Sequence, residues 1–375
     1  MNYFCRETCI IHIFFVTLYA EMNANEPLRL IIGPCAVESA GQMRAVASSL
    51  GAAFHSVACG VRIILRAGLW KPRSRPDSFQ GVGAEGLPWL TGAADALGVP
   101  AATEVATPEH LLTAYDAGIR HFWIGARTTS NPFMVEALAA VPIADKASVT
   151  WYVKNPTSPD IELWCGAIER LRQAGYEQVA AIHRGFALGE RSASAYRNAP
   201  VWSVPIELKR RYPTLPVLTD ASHIAGRAAL VADVARQAMR IGMDGLMIEV
   251  HPCPAEALSD AEQQLTPEEL GTLLADMTTS RHDDMTKNPT DELTALREQI
   301  DETDDELWAL ISRRLHIAEQ IGAYKRANNL PVLQTARYDE ILSKRMAWAA
   351  GHGIDPQAAK QIMDIIHEQS VLAQT

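Results

Sequence analysis

Short apolar and β-branched runs recur along the first 250 residues, at 28–32, 61–65, 99–103, 121–124, 149–153, 178–182, 216–219 and 245–250. Runs this short, closed by turn residues, read as buried strands. Between most of them lie amphipathic segments with helix-start signals: Thr107 before Pro108 and Glu109, Asn131 before Pro132, and Ser158 with Pro159 and Asp160. Gly51, Gly118 and Gly175 fall where helix C-caps are expected. Eight strands alternating with helices over roughly 250 residues predict a (β/α)8 barrel at 28–278. An open doubly wound sheet is the alternative, and no GxGxxG follows the first strand to support it.

The pattern changes after Thr278. Polar residues ending at Pro289 predict a linker at 279–289. From Thr290, apolar residues recur at three- and four-residue steps through Leu293, Leu296, Ile300, Leu307, Leu310, Ile311 and Ile317, the period of a helix. Pro331 is expected to break that helix, with further helices near 336–350 and 356–374. The fold class is thus a (β/α)8 barrel followed by a separate all-α three-helix domain at 290–375. So small a helical unit is thin for an independent core, which predicts a homodimer through it.

Composition narrows the partners. The chain has 375 residues, 48% hydrophobic and 21% charged, with net charge −10. That balance argues against nucleic acid as a partner. Six scattered cysteines without a CxxC pair fit a reducing, cytoplasmic setting rather than a disulfide framework. The apolar stretch at 10–20 is too short to span a bilayer, and no membrane association is expected. Its weak positive flank makes it a poor signal peptide. Residues 1–27 read as a leader outside the fold, and 1–21 as the product of an over-extended start.

Against this acidic background one loop stands out. Arg66, Lys71, Arg73 and Arg75 fall within ten positions, in a run stiffened by Gly68, Pro72, Pro76 and Gly81, with Asp77 the one nearby acid. A paired surface loop is the plainer reading. Rigidly held like charges suit a phosphorylated or carboxylated ligand better. Reactive and ionisable residues also follow the other strands: Cys35, Glu104, Arg127, Lys154, Arg184, His223 and Glu249. A barrel builds its active site from the loops at those strand ends. Cys35, His223, Glu249 and Asp260 offer a mixed S, N, O, O donor set, which suits a divalent transition metal rather than Mg or Ca. A buried Cys or a lone His is more often a core residue, so the barrel has to bring these four together.

Gly33-Pro34-Cys35, Lys71-Pro72-Arg73-Ser74, Ile124-Gly125-Ala126-Arg127, Asp220-Ala221-Ser222-His223 and Ile248-Glu249-Val250-His251-Pro252 together resemble the type I-beta 3-deoxy-D-arabino-heptulosonate-7-phosphate (DAHP) synthases. The resemblance implies condensation of phosphoenolpyruvate with D-erythrose 4-phosphate, the first step of the shikimate pathway. It implies Cys35, His223, Glu249 and Asp260 as ligands of a divalent ion, manganese first and iron, cobalt or zinc as alternatives. Arg66 and Lys71 would hold the phosphoenolpyruvate carboxylate, and Arg127, Lys154 and Arg184 its phosphate. Arg73 and Ser74 would bind the erythrose 4-phosphate phosphate. Lys71, Glu104 and Lys154 would be catalytic, with Glu104 stabilising positive charge at C2 or activating water. Two departures stand near this set. His183 occupies a position where many relatives are acidic, and Asn155-Pro156 follows Lys154 where some relatives continue Arg-Gly.

In the tail, Arg314 and Lys325 lie eleven residues apart, nearly on one helical face, and Arg297 falls about 100° away. Ser370 and Gln374 share a face of the last helix. With Arg337, these residues resemble the all-helical AroQ class of chorismate mutase. The resemblance implies rearrangement of chorismate to prephenate, with Arg297 of one chain joining Arg314 and Arg337 of the other on the substrate's polar groups. Lys325 and Gln374 would be catalytic donors to the ether oxygen, with Ser370 a further chorismate contact. Gln334 and Tyr338 stand where relatives often carry Asp and Glu. Two alternatives remain: a 3-deoxy-octulosonate 8-phosphate synthase barrel, and a tail that only dimerises and senses chorismate or prephenate. Feedback inhibition by prephenate or chorismate is also expected, with prephenate bridging barrel and helices.

Overall fold

The computed structural model describes residues 28–55, 61–71, 77–187, 195–284, 291–332 and 335–374. The leader, Arg73, Ser74, Arg75, Gln334 and the end of the expected linker lie outside these residues. Eight parallel strands close a barrel in sequence order: β1 Leu28–Gly33, β2 Val61–Arg66, β3 Ala101–Glu104, β4 His121–Ile124, β5 Thr150–Lys154, β6 Gln178–His183, β7 Val217–Asp220 and β8 Gly245–Glu249. β1 pairs with both β2 and β8, so no sheet edge remains. All eight match the expected runs to within two residues, because each run is bounded by residues that favour turns.

The helices between them start where their caps put them. Thr107 accepts from His110 N at 3.2 Å ahead of Pro108–Asp116, and Asn131 accepts from Phe133 N at 3.1 Å ahead of Pro132–Ala139. At the third start the cap is Asp160, accepting from Leu163 N at 3.1 Å, so that helix is Ile161–Gln173. Gly118 and Gly175 follow helix ends with positive φ. Gly51 does not: it lies inside Ala40–His55, where a helix continues through glycine because its other residues pack.

Two hydrophobic cores result, as side chains alternate along each strand. The inner one comprises Ile31, Ile64, Ala102, Trp123, Tyr152, Ala180, Ile182, Leu218 and Met247. The larger outer one lies between the strands and their helices.

The chain divides into two compact units, Met1–Met285 and Thr286–Thr375. Helix Pro267–Asp284 runs six residues past the expected barrel end at 278. In the second unit, helices Asp291–Ala327, Thr335–Gly351 and Pro356–Gln374 follow in turn. The first ends ahead of Pro331, at the turn where Asn329 takes positive φ. Among the described residues no helix is long and apolar enough to cross a membrane.

Candidate functional site

The inward parity of the strands explains the site. Two residues beyond the inner apolar layer, at the C-terminal end of each strand, stand Arg66, Glu104, Lys154, Arg184, Asp220 and Glu249, with Gly33 and Gly125 at the other two positions. The barrel interior changes from hydrocarbon to charge in one step. Trp123 floors this layer, with the Arg66 guanidinium 4.9 Å and the Lys154 ammonium 5.9 Å from its ring centre.

One part of the layer gathers acids and a thiol. Ligand atoms of Cys35, Glu249 and Asp260 all lie within 4.8 Å of one another, and Cys35 Sγ is 3.2 Å from Asp260 Oδ2. His223 stands beside this group rather than within it. Its Nδ1 is 2.9 Å from Asp220 Oδ2 and 3.8 Å from Glu249 Oε1. Burial pushes the Cys35 thiol up to about 12, with Glu249 adding to the rise and Lys71 opposing it. Asp260 is drawn below the ordinary carboxylate range chiefly by His223 and Arg197, against the effect of its own burial. Clustered carboxylates with a thiol are the donor chemistry of a divalent cation.

The cations surround these donors. Lys71 Nζ donates to Cys35 O at 2.7 Å and approaches Cys35 Sγ at 2.9 Å. Arg66 Nη2 lies 3.0 Å from Glu249 Oε1, while its buried Nε and Nη1 have no hydrogen-bond partner among the described residues. Buried donors left without acceptors are costly, so an anion at this point would relieve them. Lys154 Nζ pairs with Asp220 Oδ2 at 2.7 Å. Arg184 Nη1 donates to Asn198 Oδ1 at 2.9 Å, and burial lowers the Arg184 guanidinium to about 10. Arg127 is solvent-exposed. Glu104 Oε1 packs on Gly125, where a Cβ would sit 2.1 Å from it. Glycine at 125 is what makes room for that carboxylate.

Several residues that position this set have a role that the sequence alone does not assign. Asp220 caps the short helix Ala221–Ala225 by accepting from His223 N at 3.1 Å, and also receives Lys154. Asn155 Oδ1 accepts from Arg184 N at 2.6 Å, so this departure from the familial pattern anchors the next strand end. Asn198 Nδ2 donates to His223 O at 2.6 Å, linking Arg184 to His223. The other departure, His183, faces outward against Trp202 and Phe186. Burial lowers His183 to about 3, so it adds no charge to the site near neutral pH.

In the helical unit, Arg314 Nη1 bonds Ile366 O at 3.3 Å and also Ser370 Oγ. Lys325 Nζ donates to Gln374 Oε1 at 2.9 Å and Val332 O at 2.7 Å. These four side chains therefore converge between the first and last helices. Arg297 and Arg337 do not join them: both are exposed, and Arg337 turns to Glu340 Oε2 at 2.6 Å. Tyr338 hydrogen-bonds Asp364 and stacks on His367. Arg345, unremarked in the sequence, adds its charge to burial in lowering the Arg314 guanidinium.

Comparison with known proteins agrees with both units. The profile of the DAHP synthetase I family matches residues 20–283, and that of chorismate mutase type II matches residues 296–375. A phospho-2-dehydro-3-deoxyheptonate aldolase of Thermotoga maritima is 33% identical over 256 residues, covering 68% of this chain and 70% of that protein. A 2-dehydro-3-deoxyphosphooctonate aldolase of Chromobacterium violaceum is 30% identical over 218 residues, covering 54% and 72%. A crystal structure of the Thermotoga maritima DAHP synthase superposes with a TM-score of 0.60 at 31% identity, covering 69% of this chain and 71% of that one. The heptulosonate relative matches at higher identity and over more of this chain than the octulosonate one. The chain belongs to the DAHP synthetase I family and carries a chorismate mutase type II domain after its barrel.

Proposed function

We propose that the barrel condenses phosphoenolpyruvate with D-erythrose 4-phosphate, releasing phosphate, and that the helical unit converts chorismate to prephenate. The observation that carries the first reading is Arg66, whose buried Nε and Nη1 lack hydrogen-bond partners among the described residues, beside the Cys35, Glu249 and Asp260 cluster. Those three residues, with His223 alongside, would hold a divalent ion, manganese first. When bound, that ion supplies Lewis acidity toward a carbonyl oxygen. Arg66 and Lys71 hold the phosphoenolpyruvate carboxylate. Lys154, Arg184 and Arg127 take its phosphate. Lys154 Nζ has three donors and only one is used by Asp220, so it can bond phosphate without releasing its partner. Glu104, fixed against Gly125, faces the positive charge that develops at C2, or takes a proton from the water that adds there. Arg73 and Ser74 are assigned to the sugar phosphate on the familial motif.

In the helical unit, Lys325 and Gln374 donate to the ether oxygen as the C–O bond breaks, with Arg314 and Ser370 orienting a carboxylate. Lys325 Nζ meets Gln374 Oε1 at 2.9 Å, so the two side chains sit together, and Gln374 would turn its amide, whose Nε2 donates to Ser370 O at 3.0 Å, to offer a donor to substrate. Leu296, Ile300, Leu307, Trp308, Leu310, Ile317 and Ile321 are exposed along one 37-residue helix. A second copy of the chain covering them makes a homodimer and brings Arg297 to the partner's site. Prephenate is proposed as a feedback inhibitor of the condensation, and the cytosol as the location. Free Cys35, Cys165 and Cys253 support a reducing compartment.

The test is phosphate release by the purified chain with phosphoenolpyruvate and either erythrose 4-phosphate or arabinose 5-phosphate. Preference for the four-carbon sugar is expected. Preference for arabinose 5-phosphate transfers the barrel to the octulosonate class. Unchanged condensation at saturating prephenate removes the feedback proposal.

A further inference from the structure

Each carboxylate beside Cys35 carries two oxygens, and one of each is already engaged from behind. Gln263 Nε2 donates to Glu249 Oε2 at 2.7 Å. Arg197 Nη1 lies 3.1 Å from Asp260 Oδ1. The two engaging groups are themselves joined, with Arg197 Nη1 donating to Gln263 Oε1 at 2.7 Å. The remaining oxygens face the cluster. Asp260 Oδ2 meets the Cys35 thiol at 3.2 Å. Glu249 Oε1 lies 3.0 Å from Arg66 Nη2 and 3.8 Å from His223 Nδ1, with neither contact aligned as a hydrogen bond.

We propose that Arg197 and Gln263 form a bracket that occupies the outer oxygen of each carboxylate and presents a single inner oxygen, Glu249 Oε1 and Asp260 Oδ2, to a divalent cation. The inference deepens the metal reading given above and rests on it. Both are positioning residues, since each contacts only the outer oxygen of a carboxylate and would act on the cation through it.

The chemistry of residue 263 fits the task. Its amide oxygen accepts from Arg197 while its amide nitrogen donates to Glu249. A carboxylate at 263 would repel Glu249, and an apolar side chain would leave Glu249 Oε2 without its donor. Gln263 is also buried, so its two bonds are not exchanged with water. Asp260 gives a second reason for a bracket. Its backbone sits at φ 47°, ψ 39°, a left-handed conformation disfavoured for a non-glycine residue. The contact with Arg197 helps hold that conformation and the direction of its side chain. Gln264, the next residue, does similar work on the third donor by accepting from Cys35 N at 3.0 Å and donating to Ser259 O at 2.9 Å.

The full chain, stripped with chelator, is titrated with Co2+ and followed by absorption. Wild type is expected to take one equivalent and to show thiolate-to-cobalt charge transfer from Cys35 together with ligand-field bands. No such spectrum in wild type overturns the metal reading itself. In Gln263→Leu and Arg197→Met the affinity should fall about 10–100-fold, the usual effect of losing a group that orients a ligand. Charge transfer should persist while the ligand-field bands weaken, as a second carboxylate oxygen joins and the coordination number rises. Arg197→Lys, which keeps one charged donor, should fall between. Variants that bind Co2+ with wild-type affinity and spectrum overturn the bracket. Near-ultraviolet circular dichroism monitors the barrel. If Gln263→Leu fails to fold, Arg197→Met, at a half-exposed side chain, decides alone.

Discussion

Replacing Asp220 with Asn tests how the charged layer is held together. Asp220 is fully buried, and its Oδ2 accepts from Lys154 at 2.7 Å, with that lysine's side chain also only 6% exposed. Arg66 adds to the positive field that Asp220 offsets. The substitution keeps the shape and the hydrogen-bond acceptor for the cap but removes the charge. It leaves a buried ammonium beside guanidinium groups, a change that costs about 3–5 kcal/mol when one partner of a buried pair is lost. Urea unfolding at pH 7 with chelator present measures this, followed by the fluorescence of buried Trp123, Trp151 and Trp164; Trp308 and Trp348 of the helical unit are already exposed. The midpoint should fall with the slope unchanged. Adding Lys154→Met to Asp220→Asn removes the orphaned charge and should recover part of the loss. A cost below about 1 kcal/mol, or a double variant no more stable than Asp220→Asn alone, refutes the pairing as the element that sustains Lys154.

Four further outcomes are expected. Burial, with Arg62 adding to it, depresses His121 to about 4, so the unfolded chain takes up a proton near 6.5 and the folded barrel only near 4. Stability is therefore lost as pH falls through this window, by about 2 kcal/mol from this residue at pH 5, and His121→Gln should flatten that part of a urea-stability profile; an unchanged profile contradicts the assignment. Lys325→Met should lower the chorismate turnover number about 100–1000-fold, the usual loss for one donor to a developing anion, with KM changed less. A Cβ at Gly322 would stand 2.6 Å from Gln374 Cα, so Gly322→Ala should destabilise the helical unit by about 1–3 kcal/mol and slow chorismate turnover by moving Gln374 from Lys325. Trp308→Glu should shift the sedimentation of the full chain toward monomer; a wild-type chain already monomeric at assay concentration removes the dimer.

What the sequence made legible follows from geometry that repeats. Each strand is a short apolar or β-branched run closed by turn residues, so all eight could be placed. The strand-end charges could be seen as one site because a closed barrel brings every strand end to one rim. Three of the four expected metal donors meet, while His223 turns to Asp220, which the sequence offered only as part of a motif. Asn198 and Gln263 were invisible for a related reason, and Asn155 stood out only as a departure without a role: uncharged amides are ordinary loop residues until the fold shows what they bond. Gly51 misled because glycine marks a helix end only when its neighbours stop packing. In the tail, the helical period placed Arg314, Lys325, Ser370 and Gln374, but Arg337 is solvated and paired to Glu340 within a single chain.

If one chain performs both reactions and only the condensation uses a metal, chelation should separate them. The direct measurement takes one preparation, before and after exhaustive chelation, and follows phosphate release from phosphoenolpyruvate with erythrose 4-phosphate alongside chorismate consumption. Chelation should abolish the first and leave the second unchanged, and added Mn2+ should restore the first. Condensation that survives chelation, or chorismate left unconverted by the untreated chain, contradicts the account.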